Sequence, residues 1–177
     1  MTEYLRKIIA SKFGEFYAKT YNAEKITKKE VFAPLIKKSI KNKKGLRLHG
    51  VVGSGKTMLL INCVDNLVKV LDYDFYNRVQ IYHENDLYRL IDQKRQPTYK
   101  DIMVIDDFGS VKVADWLKAD YEHIYHEIHG RNLMLYLTTN LTEEVIQEIY
   151  PRTFSRLKEI TNGYGMPCKD RRTTKEN

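Results

Sequence analysis

What the chain lacks narrows its class first. It has only two cysteines, Cys63 and Cys168, too few for a disulfide framework and not spaced as a zinc cluster. A reducing cytoplasm is therefore the expected compartment. Four prolines and nine glycines are scattered without low-complexity runs, which excludes a disordered class and predicts a compact globular fold. No apolar run exceeds five residues, Leu133 to Leu137 being one of that length, so neither a membrane-spanning helix nor a membrane partner is expected. Glu3, Arg6, Lys7 and Lys12 interrupt the first apolar residues, which predicts no signal peptide. No internal repeat is visible. At 177 residues the chain is long enough for one domain with a sizeable core.

Basic residues are in excess. The net charge of +7 favours polyanionic partners. Lys37, Lys38, Lys41, Lys43, Lys44 and Arg47 form one cluster, and Lys169, Arg171, Arg172 and Lys175 a second. A lysine run is ordinarily a solvated face, and two clusters tilt the expectation towards nucleic acid only where the chain also handles nucleotide.

The stretch Leu46 to Leu60 carries that nucleotide reading. Gly50, Gly55, Lys56 and Thr57 satisfy G-x-x-x-x-G-K-[ST], with an apolar strand pattern before them and a long apolar helix pattern after. Gly50, Gly53 and Gly55 let the backbone curl until successive N–H groups face phosphate oxygens, and the helix opening at Gly55 adds its positive end. The predicted loop is Gly50, Val51, Val52, Gly53, Ser54, Gly55, Lys56, Thr57 and Met58. Lys56 is expected at the outer phosphates of ATP and the Thr57 hydroxyl at Mg²⁺.

Apolar periodicity orders the rest. Residues 4–17 place Leu5, Ile8, Ile9, Phe13, Phe16 and Tyr17 near a 3.6 period, an amphipathic helix whose apolar face must meet its own core or a partner protein. A capping box at Thr27 and Glu30 opens a second helix, stopped by Asn42-Lys43-Lys44-Gly45. A helix from Met58 to Leu71 follows the loop. Strands are expected at Val79 to Tyr82, Ile102 to Ile105 and Leu133 to Leu137, with a weak fifth in Asn162 to Cys168. Between them come helices at Glu84 to Arg95, closed by Gln96-Pro97, and at Val111 to His129, with Val113, Trp116, Leu117, Ile124 and Ile128 inward. A short helix capped by Thr142 and another started by Pro151 complete the series. The alternation predicts an α/β fold, a parallel sheet with ligands at the C-terminal strand ends.

Asp106 follows four apolar residues at such a strand end, where a phosphate-loop ATPase places a carboxylate in the Mg²⁺ shell. Asp107 is positioned to orient or deprotonate the attacking water. Asn140, at the end of the next strand, converges on the γ-phosphate or serves as a plain turn residue. Arg152 and Arg156, four apart on one helix face, are ordinary surface arginines or the type of planar cation that completes a neighbour's phosphoryl-transfer site. His123, His126 and His129 drift around their helix and read as surface imidazoles, not metal ligands.

Together these segments resemble a family. Gly50 to Thr57, Ile102 to Gly109 (Ile-Met-Val-Ile-Asp-Asp-Phe-Gly), Thr138 to Thr142 and Arg152 to Leu157 look like the DnaC/DnaI/IstB group of AAA+ ATPases over roughly Gly45 to Arg172. The resemblance implies a five-stranded P-loop NTPase core of AAA+ type at 45–177 behind an N-terminal helical extension at 1–44. The first two motifs then stand as Walker A and Walker B and Asn140 as sensor 1. Arg156, with Arg152 its runner-up, is the arginine finger acting on a neighbour. Asp170-Arg171-Arg172 resembles a family element without an assignable role. Glu stands in many AAA+ proteins where this chain has Asp107, one methylene shorter, which predicts slow hydrolysis. The short stretch after Arg156 predicts no C-terminal lid.

The implied function is ATP-dependent helicase loading in DNA replication, with a replicative helicase and single-stranded DNA as partners. A rival from the same group is a transposition helper that directs a transposase. A rival from another class is a nucleotide-gated binding module in which slow hydrolysis acts as a timer and the N-terminal helix docks a partner.

Overall fold

The structure is a computed structural model that describes residues 3–22 and 29–166, with side chains from residue 34 onward in the second stretch. The expected Thr27–Glu30 capping box, Cys168 and the second basic cluster with Asp170-Arg171-Arg172 lie outside what it describes. In chain order the elements are α1 (Glu3–Phe13), α2 (Glu15–Thr20), α3 (Lys29–Asn42), β1 (Gly45–His49), α4 (Lys56–Leu71), α5 (Phe75–Arg78) and β2 (Val79–His83). They continue with α6 (Glu84–Asp92), β3 (Ile102–Phe108), α7 (Lys118–Gly130), β4 (Met134–Thr139), α8 (Glu143–Ile149), α9 (Pro151–Ile160) and β5 (Thr161–Gly165).

The five strands make one sheet in the order β2-β3-β4-β1-β5, and every pairing is parallel. Parallel neighbours require crossovers, and helices supply them on both faces. Side chains alternate across a strand, so Ile102 and Val104 of β3 join Leu46, Leu48 and Tyr136 against Leu60, Val64 and Leu67 of α4. Met103 and Ile105 join Leu135 and Leu137 against Leu87, Ile124, Ile128 and Leu157. Both faces being covered, β3 has no polar alternation, and its run of four apolar residues is the result.

The N-terminal helices cover α4. The single helix expected over 4–17 is broken at Gly14, whose φ of 98° lies in a region open mainly to glycine. The break folds α2 back, so that Leu5, Ile9, Ala18 and Tyr21 pack with Ile61 of α4. The Tyr21 hydroxyl donates to Asp65 Oδ2 at 2.8 Å and accepts from Asn62 Nδ2 at 3.2 Å. The apolar face of α1 is thus spent on the chain's own core, although Phe16 is exposed.

Other expectations need correction. The helix expected from Val111 begins only at Lys118, after a 3-10 turn at Asp115–Leu117, and Trp116 stands 69% exposed instead of pointing inward. The helix expected to reach Arg95 ends at Asp92, because Lys94 takes a left-handed backbone with φ 55°. Arg47, placed with the lysines in a surface cluster, is buried. Its Nη2 pairs with Glu143 of α8, its Nη1 lies 3.4 Å from Thr161 Oγ1, and its guanidinium stacks 5.2 Å from the Phe154 ring centroid. Gly163 of β5 makes this arrangement fit, since a Cβ there would come within 2.9 Å of Arg47 Nη2.

That ion pair gives the fold a testable joint between β1, α8, α9 and β5. Breaking a buried pair from one side strands the other charge, at about 3–5 kcal/mol when both partners are buried. Glu143 is 38% exposed at its side chain, and solvent screening brings the expected loss for Glu143→Ala to about 1–3 kcal/mol. The shift of the urea unfolding midpoint measures it. A loss below about 0.5 kcal/mol would mean that Thr161, Phe154 and solvent satisfy Arg47 without Glu143.

Candidate nucleotide site

The site lies where β1 leaves the sheet. In an open parallel sheet, ligands enter the crevice beyond the carboxyl ends of the strands where the order reverses. Here β1 sits between β4 and β5 while the next strand in the chain, β2, lies beyond β3 and β4. The loop from Gly50 to Gly55 takes positive φ at Gly50, Gly53 and Gly55 (150°, 80° and 94°). Gly55 is the left-handed N-cap of α4, with no side chain capping the helix. The first-turn N–H groups have no intrahelical acceptors and are presented with the positive end of the helix dipole. Val51 and Val52 are exposed at the loop tip, and Ser54 and Lys56 are buried. Lys56 Nζ donates to the carbonyls of Gly50 and Val51 at 2.8 Å each and lies 3.5 Å from Ser54 Oγ.

Three strand or helix ends then converge on one carboxylate. Asp106 Oδ1 accepts from Thr57 Oγ1 at 3.2 Å and from Thr138 Oγ1 at 2.6 Å. Thr138 Oγ1 in turn accepts the Asp107 backbone N–H at 2.8 Å. Asn140 Nδ2 donates to Asp107 Oδ1 at 2.8 Å. The pairing of β3 with β4 shifts register between Ile105 and Phe108, and Asp107 itself is left-handed with φ 70°. Irregularities of this kind re-aim a side chain. Without this one, Asp106 and Asp107 would point to opposite faces; with it, both belong to the cluster at the strand ends.

Burial pushes the Asp106 carboxyl above the usual carboxylate range. The Thr138 bond and the nearby His83 oppose that shift, and the Asp107 charge adds to it. A buried carboxylate of this kind is offset by a divalent cation. No group of three or more His, Cys, Asp or Glu side chains suited to a metal exists among the described residues. This donor set fits Mg²⁺ bound by one hydroxyl, one carboxylate and the phosphates of a substrate. Thr57 and Asp106 are the residues that would hold it.

The structure brings Lys56, Thr57, Asp106, Asp107 and Asn140 together and leaves Arg152 and Arg156 apart. The two arginines line an open groove of about 580 Å³ between α7 and α9, with Lys118, Glu122, His123 and His126. His123 and His126 lie with ring centroids 6.0 Å apart, and His129 pairs with Glu159 at 2.7 Å, so the histidines hold surface positions. Thr138 is the site residue that sequence reasoning missed. Its signal was its place one residue from the end of an apolar strand, level with Leu48 of β1.

Strand order, loop and carboxylates define a P-loop NTPase fold of AAA+ type. No protein-family model matches the chain, and no curated protein matches it by sequence. Among solved structures it is similar to DnaI, with a TM-score of 0.66 at 18% identity over 97% of this chain and 94% of that one. It is similar to a DnaC helicase loader, with a TM-score of 0.63 at 18% identity over 83% of this chain and 97% of that one. AMPPCP-bound DnaA from Aquifex aeolicus gives a TM-score of 0.62 at 17% identity over 82% of this chain. The chain spans half the length of that DnaA chain and nearly all of the DnaI and DnaC chains. At these identities the likeness is one of fold.

The raised Asp106 carboxyl has a stability consequence. Its ionisation costs more in the folded chain than in the unfolded one. Its contribution therefore falls as pH rises from the ordinary carboxylate value to the raised one, and stays unfavourable above that. Both hydroxyls approach the same oxygen, Oδ1, and an amide oxygen in that place still accepts both, more weakly than a carboxylate but without the cost of a buried charge. Asp106→Asn should thus raise the melting temperature of the nucleotide-free protein at neutral pH and abolish any tightening of nucleotide binding by Mg²⁺. A lowered melting temperature would show that the carboxylate charge is not a burden on this fold.

Proposed function

We propose that this protein binds and slowly hydrolyses ATP and acts as a DnaC-like helicase loader in DNA replication. The observation that carries the nucleotide part is the Thr57–Asp106–Thr138–Asp107–Asn140 chain of hydrogen bonds at the mouth of a glycine loop. The triphosphate lies along the loop, its oxygens taking the first-turn N–H groups of α4 and the Lys56 ammonium now held by loop carbonyls. Bound at Thr57 and Asp106, Mg²⁺ would neutralise charge on the outer phosphates. Asp107 orients the attacking water and draws its proton, and Asn140 fixes the Asp107 carboxylate while reaching towards the γ-phosphate. The shorter Asp carboxylate makes hydrolysis slow.

Helicase loading is supported by the likeness to DnaI and the DnaC helicase loader over nearly their whole lengths. Contact with single-stranded DNA is supported by Lys37, Lys38 and Lys41, exposed on the C-terminal part of α3, with Lys43 exposed in the turn after it, and by a DnaA of similar fold solved with AMPPCP and single-stranded DNA. Arg47 no longer contributes to that basic face.

Two variants separate binding from turnover. Lys56→Ala removes a charge-assisted contact worth about 1.5–3 kcal/mol, so ATP affinity should fall about ten- to a hundredfold. Asp107→Asn should keep ATP affinity and stall hydrolysis. Trapped in the ATP state, it should retain a hexameric helicase in a pulldown. Hydrolysis by Asp107→Asn at the parental rate would remove Asp107 from its role, and retention of a transposase instead of a helicase would favour the transposition reading.

Arg152 and Arg156 lie in a groove whose lining includes none of the loop or carboxylate residues, which supports the reading that Arg156 acts on the nucleotide of a second copy and not on its own. Specific activity should then rise with protein concentration. Mixing two inactive variants, Lys56→Ala and Arg156→Ala, should restore part of the turnover, since some junctions pair an intact pocket with an intact arginine. Trp116 is the chain's single tryptophan and lies exposed between the groove residues Asp115 and Lys118. Its emission should shift to the blue on assembly. If mixing restores nothing while emission still reports assembly, Arg156 has no role in trans.

A further inference from the structure

Glu84 opens α6 directly after β2 and is fully buried. A buried carboxylate must be satisfied by donors or opposite charge, and the donors here belong to one short turn and one tyrosine. Glu84 Oε1 accepts the Gly109 backbone N–H at 2.7 Å, and Oε2 accepts those of Ser110 at 2.6 Å and Val111 at 3.0 Å. Ser110 Oγ adds a bond to Oε2 at 3.0 Å, and the Tyr121 hydroxyl donates to Oε1. Tyr121 is fixed by its own packing, with its ring stacked on Phe108 at 6.3 Å.

The turn so held begins two residues after Asp107. The Ser110 N–H that reaches Glu84 also donates to the Asp107 carbonyl at 3.1 Å, so the clamp closes directly onto the Asp107 backbone. Asp107 and Gly109 both take positive φ, 70° and 78°. A left-handed aspartate is a higher-energy conformation that persists only where its surroundings over-determine it. On one side Thr138 and Asn140 hold Asp107; on the other its carbonyl accepts the Ser110 N–H, which Glu84 fixes together with the turn beyond.

We propose that Glu84 is a positioning residue for hydrolysis: it locks the Gly109–Val111 turn so that Asp107 keeps its left-handed backbone and presents its carboxylate to Asn140 and the attacking water. This rests on the reading of Asp107 as the residue that activates water. Both Glu84 oxygens are taken up by the turn and Tyr121, so Glu84 acts through Asp107 and governs turnover and not ATP affinity.

Glu84→Gln tests it. The amide keeps the shape but turns an NH₂ group towards backbone N–H donors, so one side of the clamp is lost. Tyr121→Phe removes a single donor and keeps the ring. Four quantities are read on the intact chain: affinity for a fluorescent ATP analogue, the single-turnover hydrolysis rate, amide exchange at 109–111 and the Asn140 side-chain amide resonance. Glu84→Gln should leave affinity within about threefold and slow turnover about tenfold or more. It should speed exchange at 109–111 and displace the Asn140 resonance, with Tyr121→Phe intermediate in each. Turnover at the parental rate, or unchanged exchange at 109–111, overturns the proposal. Affinity and turnover falling together with the melting temperature overturns it too, because Glu84 would then serve only the fold. If the parent protein hydrolyses no ATP, the hydrolytic reading fails by itself, and the exchange and Asn140 arms still decide whether Glu84 positions Asp107.

Discussion

The requirement that Asp106 be buried and still satisfied shapes the whole end of the sheet. The carboxylate has two hydroxyl donors, one from the helix after β1 and one from β4. Both must reach a residue on β3. The parallel order allows this because β4 lies between β3 and β1 and pairs with each. Thr138 is level with Leu48 and Thr139 with His49, so the chain enters the glycine loop at the height where Asp106 and Thr138 meet. A one-residue slip of β4 would turn Thr138 to the other face and leave the Asp106 carboxylate short of a donor. The apolar residues of β4 thus set the register, and the register sets the polar site.

Charge elsewhere in the interior follows the same rule. Arg47 is matched by Glu143 across β1 and α8, and Glu84 by three consecutive backbone N–H groups. Each buried ion joins segments distant in sequence. Such pairs often add little net stability, but removing one partner is costly, so they fix which segments meet. In this chain they fix the position of β5 beside β1 and that of the turn following β3.

How far the sequence disclosed this depended on whether the signal was local. The glycine loop, the apolar run before Asp106 and Asp107, and Pro151 at the start of α9 are local patterns, and the strands and helices near them appear where periodicity placed them. β5 was weakly marked because Gly163 stands where room is needed for Arg47 and Glu143, a demand set by two other elements. For the same reason Arg47 read as a surface charge, since its partner lies far along the chain. Trp116 read as core because aromatic residues at helical spacing usually are, and the 3-10 turn that exposes it has no strong signal in composition. Thr138 carried only the weak signal of its place near the end of an apolar strand, and Glu84 carried none, since each acquires its part only when a neighbouring strand or turn presents donors or acceptors to it.

The remaining step concerns Lys56, whose charge is buried before any phosphate arrives. Its ammonium is satisfied by the carbonyls of Gly50 and Val51, acceptors supplied by the loop itself. A phosphate oxygen therefore replaces existing acceptors and does not rescue an unpaired cation. The gain per contact is the difference between a charged and a neutral acceptor, smaller than the bare attraction. In exchange, the loop is already curled and the lysine already desolvated, so little ordering is left for binding to accomplish. The same arrangement that keeps a buried cation tolerable without a ligand also sets the geometry in which a triphosphate is received.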